Sequence, residues 1–349
     1  MRKLVVFLVT SAIVLSNFTA NAQANLASGD NPAARNKYAL DLIKDPALGY
    51  APTNLLMDAI NRTVALKAAQ SANLQSTPLT WIERGPIYDS VGPSNGNSRG
   101  GANTAGGYTS GRIRAFLLDT LNDPSGNTAL TGGVAGGIWK CTNFLATDPS
   151  WVPIDDRFDN LAISSIAQDP TNPQVMYFST GEPTSNADAV LGAGIWKSTN
   201  GGTSFTFLAS STNFIRSFKI ECDAAGNVYL ACRTTTNPVS QPNGLYRSSN
   251  GGTSWTDITP NNLSSNKSCT DFEITASGKL NAMFGYLGTL VNHRYTTSPA
   301  TVTAGGWSSG AGFRTSNAVA TRTEMAVTGE VLYALTVSAS YNFDSCYKS

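Results

Sequence analysis

The sequence predicts an all-β protein, a β-propeller of four-stranded blades of about 50 residues each, behind a short helical N-terminal extension. Three observations predict it. First, a four-residue signature recurs as IWKC (138–141), IWKS (195–198), LYRS (245–248) and CYKS (346–349), with gaps of 57, 50 and 101 residues, the last being about two periods. A degenerate copy, HRYTTSPATVTAGGW (293–307), fills that double gap. A period near 50 marks a repeat architecture. Second, each period carries the same order of short apolar runs. One unit reads ISSIAQDP, VMYFSTGE, GIWKS and FTFLAS; the next reads FIRSFKIEC, NVYLACR, GLYRS and WTDIT. Four short strands separated by turn residues describe a propeller blade, whereas a two-sheet sandwich predicts no regular four-strand period. Third, only 13% of residues are charged while glycine is abundant, which suits strands and turns better than long surface helices.

Ahead of the repeats, Arg2 and Lys3 precede an apolar run from Leu4 to Leu15 and then Ala20-Asn21-Ala22. This pattern is that of a secretory signal peptide over 1–22, cut before Gln23. Its apolar run is too short to span a bilayer, and no later segment approaches the roughly 20 apolar residues a spanning helix needs. The expected localisation is secreted, extracellular or cell-surface, with no membrane span. Residues 23–76 contain two stretches that begin near prolines and carry apolar residues at helical spacing, Leu55, Leu56, Ala59, Ile60 and Val64 in the second. They read as a helical extension, with the propeller occupying 77–349.

Removal of 1–22 leaves 22 basic residues against 23 acidic ones, so charge gives no reason to expect nucleic acid or an anionic membrane as partner. His293 is the only histidine, and no CxxC or Cys/His cluster exists, which argues against zinc and against Ser-His or Cys-His catalysis. Five cysteines in an exported chain allow one or two disulfides. Cys232 closes the second strand of one unit and Cys269 opens the first strand of the next, so both reach one face and form the expected pair. Cys222 and Cys232 are out of register across their hairpin.

The signature continues into a polar turn, Ser198-Thr199-Asn200-Gly201-Gly202-Thr203-Ser204-Phe205, written again from Ser248 through Asn250 and Gly252 to Trp255. Asn and Ser side chains bond local backbone, the glycines accept unusual dihedrals, and the terminal aromatic anchors the turn. The expected role is structural, a self-bonded hairpin between third and fourth strands. These stretches resemble the Asp-box, or bacterial neuraminidase repeat, of form S-x-D-x-G-x-T-W, with Asn200 and Asn250 at the usual Asp. Together with WIERGP (81–86), SGRIRAFLLD (110–119) and GGVAGGIWK (132–140), they resemble secreted sortilin-like Asp-box propellers of Bacteroidetes type. The resemblance implies the propeller fold. For activity it is mixed, because the superfamily holds sialidases, xyloglucan-cleaving glycosidases, receptors and assembly factors.

In such a blade the loops from strand two to three and from strand four to the next blade emerge on one face, and the box turn on the other. The first face receives Asp155, Asp156, Arg157 and Asp159, Glu182 with Asp188, and Arg233. Long polar loops on a rigid scaffold are where function concentrates. Glu182, Asp155 and Asp156 are the candidate catalytic carboxylates for glycoside hydrolysis, and the same acids can hold calcium, the one cofactor considered. Arg112, Arg157, Glu182, Asp188 and Arg233 are the candidate ligand-binding residues. Two departures weigh against an enzyme. The catalytic Asp of xyloglucan-cleaving relatives, in a segment like R-T-D-V-G-G-x-Y-R, falls at Val134, and no proline follows Ile113 to make the sialidase Arg-Ile-Pro motif. Trp81, Trp139 and Trp196 can stack on sugar rings, but their place beside third-strand residues suits blade core better.

CYKS matches the start of the signature and then stops, so Ser349 is expected to lie inside a blade, with further blades and a sorting domain beyond it. Alternatively TWIERGP supplies the absent strand. The functional expectation is a propeller that binds an extracellular glycan or protein at its loop face without catalysis, with a glycoside hydrolase as the alternative.

Overall fold

In a computed structural model the described residues are 112–349, except 185–188, 234–241, 264–265, 288, 311–318 and 339–341, together with 53–71 and six positions between 37 and 49. The signal peptide, Trp81 and Asp188 lie outside them. The chain divides into two units at Ser110/Gly111; the expected boundary after residue 76 falls in an undescribed stretch. In the first unit, α1 (Thr53–Ser71) covers the apolar-periodic segment. No helix among the described residues is long and apolar enough to cross a membrane.

The second unit is built of five antiparallel sheets of four strands. The first contains β1 (Ile113–Leu118), β2 (Ala129–Gly133), β3 (Ile138–Cys141) and β4 (Trp151–Pro153), in that order. The second contains β5 (Ile163–Gln168), β6 (Met176–Thr180), β7 (Ile195–Ser198) and β8 (Thr206–Phe207). The third contains β9 (Ser217–Cys222), β10 (Val228–Cys232), β11 (Gly244–Ser248) and β12 (Thr256–Asp257). In the fourth, β13 (Cys269–Ile274) and β14 (Leu280–Phe284) are followed by β15 (Thr289–Leu290), which leaves the sheet, before β16 (Asn292–Thr296) and β17 (Ser308–Ser309) complete it. The fifth contains β18 (Val319–Thr328), β19 (Val331–Ser338) and β20 (Phe343–Lys348), with β15 on the free edge of β18. The first strands β1, β5, β9, β13 and β18 touch one another in sequence, each sheet packing on the next. This is the blade array of a β-propeller.

The reason for this stacking is visible in the second strands. MYFST, VYLAC and LNAMF are buried at every residue, so both faces of each blade need cover. The apolar core accordingly divides into one cluster per junction. Leu130 and Ile138 meet Ile163, Met176 and Phe205 between blades one and two. Tyr177 and Ile195 meet Phe214, Ile220 and Leu230 between two and three. Tyr229 and Leu245 meet Phe272, Phe284 and Trp307 between three and four, and Met283 meets Met325 and Leu332 between four and five. Trp196 lies in this core, stacked on Phe178 at 6.0 Å and tilted against Phe207 at 5.4 Å. His293, in β16, accepts burial as a neutral ring, its pKa held down to about 4, with Nε2 3.3 Å from Asn281 Oδ1.

The repeated turns join third to fourth strands and bond themselves. Ser198 Oγ accepts the N–H of Gly202 at 2.9 Å, and Asn200 Oδ1 accepts the N–H of Ser204 at 3.0 Å. Ser248 and Asn250 do the same for Gly252 and Ser254, at 2.8 and 2.9 Å. A third copy hides in blade one, where Cys141 Sγ donates to Asn143 Oδ1 at 3.2 Å and that oxygen accepts the N–H of Ser150 at 2.9 Å. The turns also tie blades together. Lys140 Nζ on β3 donates to Gly201 O at 2.7 Å, Lys197 Nζ on β7 to Gly251 O at 3.0 Å, and Arg247 Nη1 on β11 to Pro299 O at 2.7 Å.

Cys232 and Cys269, the expected pair, are both buried and carry free thiols in this structure. Cys232 Sγ donates to Gly244 O and Cys269 Sγ to Asp271 O, each at 3.5 Å.

Gly252 has φ +88° and a Cβ there would stand 2.4 Å from Leu208 Cδ1 of the preceding blade, while Gly278, at φ +82°, faces open space. Gly278→Ala should therefore cost about 1 kcal/mol, the dihedral alone, and Gly252→Ala about 2–3 kcal/mol. Urea denaturation of the two variants measures the difference; equal losses would show that the turn is not pressed against its neighbour.

Candidate functional site

The first strands all begin with an irregularity. In β1, Ile113 and Ala115 pair with consecutive residues of β2, leaving Arg114 as the extra residue. Ser164, Phe218, Thr270 and Thr321 hold the same position in the other blades. A bulge turns its extra side chain out of the regular alternation. In blade one the extra residue is Arg114, which lines the pocket between the first strands and reaches Glu182.

Glu182 arrives at the same place from the end of β6. Gly181 (φ +96°) and Gly192 lie back to back, and a Cβ on either would stand 2.4 Å from a backbone oxygen, Ile215 O and Thr180 O respectively. This close approach lets the loop close on itself, with Glu182 N–H donating to Val190 O at 2.8 Å. The carboxylate is buried, its side chain 3% exposed. Oε1 accepts from Arg112 Nη2 at 3.0 Å and Arg114 Nη2 at 3.3 Å, and Oε2 from the N–H of Val190 at 3.1 Å. Two more arginines hold the adjoining backbone: Arg216 Nη1 donates to Glu182 O at 3.0 Å, and Arg233 Nε to Pro183 O. The Arg233 guanidinium also lies 4.9 Å from the centroid of Tyr286. Burial lowers the pKa of Arg114, Arg216 and Arg233 from the usual arginine value. Two guanidinium groups thus hold the Glu182 carboxylate and two more hold the main chain of Glu182 and Pro183.

Beside it, the first strands line an open pocket of about 710 Å³. Its wall carries a second charged group. Lys219 Nζ on β9 lies 2.6 Å from Glu273 Oε1, 3.3 Å from Glu221 Oε2 and 3.5 Å from Asp271 Oδ1. Arg322 pairs with Glu324 on β18. Burial works against the Lys219 charge, but Asp271, Glu221 and Glu273 outweigh it and raise its pKa. Burial pushes Glu221 up to about 7 and also raises Glu273. The channel is cationic at its mouth and richer in carboxylates within.

Of the expected site residues, Arg112, Glu182 and Arg233 meet here. Arg157 does not; it bonds Asp155 through both its backbone N–H, at 2.9 Å, and Nε, at 3.2 Å. Asp155 and Asp156 sit together on the β4–β5 connection, and among the described residues no group of three or more His, Cys, Asp or Glu gathers to hold a metal ion. Val134 is buried and donates its N–H to Arg112 O at 2.9 Å, which helps place the arginine. Sequence reasoning missed Arg114 and Arg216 as site residues, and the whole inner group. The available signal was charge at every second position of a first strand: Lys219 and Glu221 in FKIEC, Asp271 and Glu273 in TDFEI, Arg322 and Glu324 in TRTEM. A period of two puts such pairs on one face.

No family model matches the chain, and no curated protein matches it. Among solved structures it is similar to an ancestral GH74 enzyme, at 20% identity and TM-score 0.47, with 68% of this chain covering 32% of that one. A GH74 enzyme from Niastella koreensis follows at 17% identity and TM-score 0.47, with 68% and 35% covered. The extracellular domain of a one-component system protein from B. thetaiotaomicron is 13% identical, with TM-score 0.42 and 64% and 25% covered. The chain spans about a third of the length of the first two. At these scores nothing of activity carries over.

Two outcomes test the electrostatics. Glu182→Ala leaves guanidinium groups facing one another and should cost about 3–5 kcal/mol in denaturation experiments. Glu221 has a folded pKa near 7 against an ordinary 4.5, so the folded state binds more protons between those values and the group's contribution to stability falls as pH rises through that range. Glu221→Gln should flatten the slope of stability against pH between about 4.5 and 7; an unchanged slope would place the titration elsewhere.

Proposed function

We propose that the chain is a secreted, non-catalytic Asp-box propeller of the sortilin-like kind that binds an extracellular glycan or protein ligand at the loop-face mouth of its channel. In this reading residues 1–22 are removed on export, 23–76 form the helical extension, and 77–349 carry the propeller. The observation that supports it is the state of Glu182. A glycosidase needs one carboxyl free to give a proton and a second placed across the scissile bond. Both Glu182 oxygens instead accept from arginines and a backbone N–H, so the carboxyl group is engaged within the protein and organises the arginines that reach it. Asp155, a second of the three candidate carboxylates, is engaged by Arg157.

The test is to screen the purified full-length chain for both binding and turnover on a glycan array, sialosides and β-glucans, with Glu182→Gln alongside. Binding without turnover is the expected result. Turnover abolished by Glu182→Gln would overturn the reading in favour of a glycoside hydrolase.

A further inference from the structure

We infer that Asn250 is a site of spontaneous covalent modification, where attack by the Gly251 main-chain nitrogen turns the side-chain amide into a carboxylate, while the same sequence at Asn200 is protected. Both residues open the segment Asn-Gly-Gly-Thr-Ser, at 200–204 and 250–254, preceded by Thr199 or Ser249. Their intrinsic rates are therefore closely matched, and a difference between them comes from the fold. Glycine after each asparagine leaves the attacking nitrogen unshielded by a Cβ. Both asparagines are exposed, so water reaches the reacting amide.

The reaction balances with water as its one co-reactant. The Gly251 nitrogen bonds to Asn250 Cγ and gives up its proton; the Cγ–Nδ2 bond breaks, and the amine leaves with that proton as ammonia. The five-membered imide then takes up one water molecule. Cleavage between the nitrogen and Cγ leaves aspartate, and cleavage between the nitrogen and the main-chain carbonyl carbon leaves its isomer, with the chain running through Cβ and Cγ.

What separates the two sites is the attacking group. The Gly201 N–H donates to Gln174 O at 2.9 Å and Gly201 is buried, so its proton is committed inside the protein. The Gly251 N–H has no acceptor among the described residues, and Gly251 is half-buried. Sequence length accounts for the difference. In blade two the β5–β6 turn is closed by a bond from Asp169 N–H to Val175 O, and Gln174 lies just before the closing residue. In blade three the matching bond runs from Asp223 N–H to Asn227 O, a shorter turn in which Gly226 takes the place of Gln174. The restraints on the side chains are shared. Asn200 and Asn250 each accept a serine N–H, at 3.0 and 2.9 Å, and each donate to that serine's Oγ, at 2.9 and 2.8 Å.

The two products differ in effect. Aspartate keeps the turn, since Ser248 Oγ and Ser254 N already donate to Oδ1 and a carboxylate accepts both more strongly. The isomer lengthens the main chain before Gly251 and shifts Gly251 O, the atom that Lys197 Nζ holds at 3.0 Å across the junction between blades two and three.

Mass spectrometry of tryptic peptides from the folded full-length chain, aged at neutral pH, reads both sites together. Cleavage after Lys197, Arg216, Arg247 and Lys267 puts Asn200 and Asn250 on separate peptides. The mass gain of amide-to-acid conversion should appear at Asn250 about fivefold faster than at Asn200, the factor that one backbone hydrogen bond of ordinary net strength supplies. In a chain aged in denaturing urea the two sites should convert alike. No conversion at Asn250, equal rates in the folded chain, or faster conversion at Asn200 would each overturn the inference. So would a preference for Asn250 that persists in urea, because the fold would then not be its cause. Asn250→Asp, which makes the product directly, should melt with the parent chain; a lower melting point would overturn the claim that the turn accepts the carboxylate.

Discussion

A cation on the third strand of one blade, reaching a backbone oxygen in the turn of the next, is the contact on which the rest of the array depends. Lys140, Lys197 and Arg247 make it at three successive junctions. At the first two junctions its acceptor is a carbonyl that the turn exposes because two left-handed glycines follow a Ser and an Asn that bond its N–H groups. Backbone that strained by itself would relax, so the local side-chain bonds and the contact across the junction support each other. With blades held at that spacing, the junction cores close and the second strands are buried on both faces.

Closing the junctions also brings the first strands side by side, and that creates the channel. Side chains which would be ordinary surface charges on a lone sheet face one another across it. Lys219 reaches carboxylates on its own strand and on β13, and Arg112 and Arg114 reach a glutamate at the end of β6 in the next blade. The electrostatic character of the protein is therefore a property of the array: no single blade contains either the cationic mouth or the acidic interior.

The strand order, the turns and the aromatic third-strand positions were legible because the chain states them repeatedly, and repetition separates a pattern from chance. The copy in blade one was missed because extra residues between Asn143 and Ser150 break the spacing and a cysteine replaces serine, although Asn143 still accepts the N–H of the serine that ends the turn. Arg112, Glu182 and Arg233 could be singled out one by one as polar loop residues, but their convergence could not. Arg114 reaches the mouth through a one-residue bulge, and a bulge shifts facing without leaving a mark in composition.

The short strand β15 departs from the one-unit, one-blade rule. It is cut from the chain between the second and third strands of the fourth sheet, yet its hydrogen bonds go to β18 in the fifth. The fourth and fifth sheets are thus interlocked by shared chain, where the earlier ones meet only through side chains and turns. Duplication or deletion of a unit, the usual way such arrays change length in evolution, is permitted among the first three sheets and penalised at this junction, because removing the fourth would strip β18 of its neighbour. The repeat is modular at one end and welded at the other.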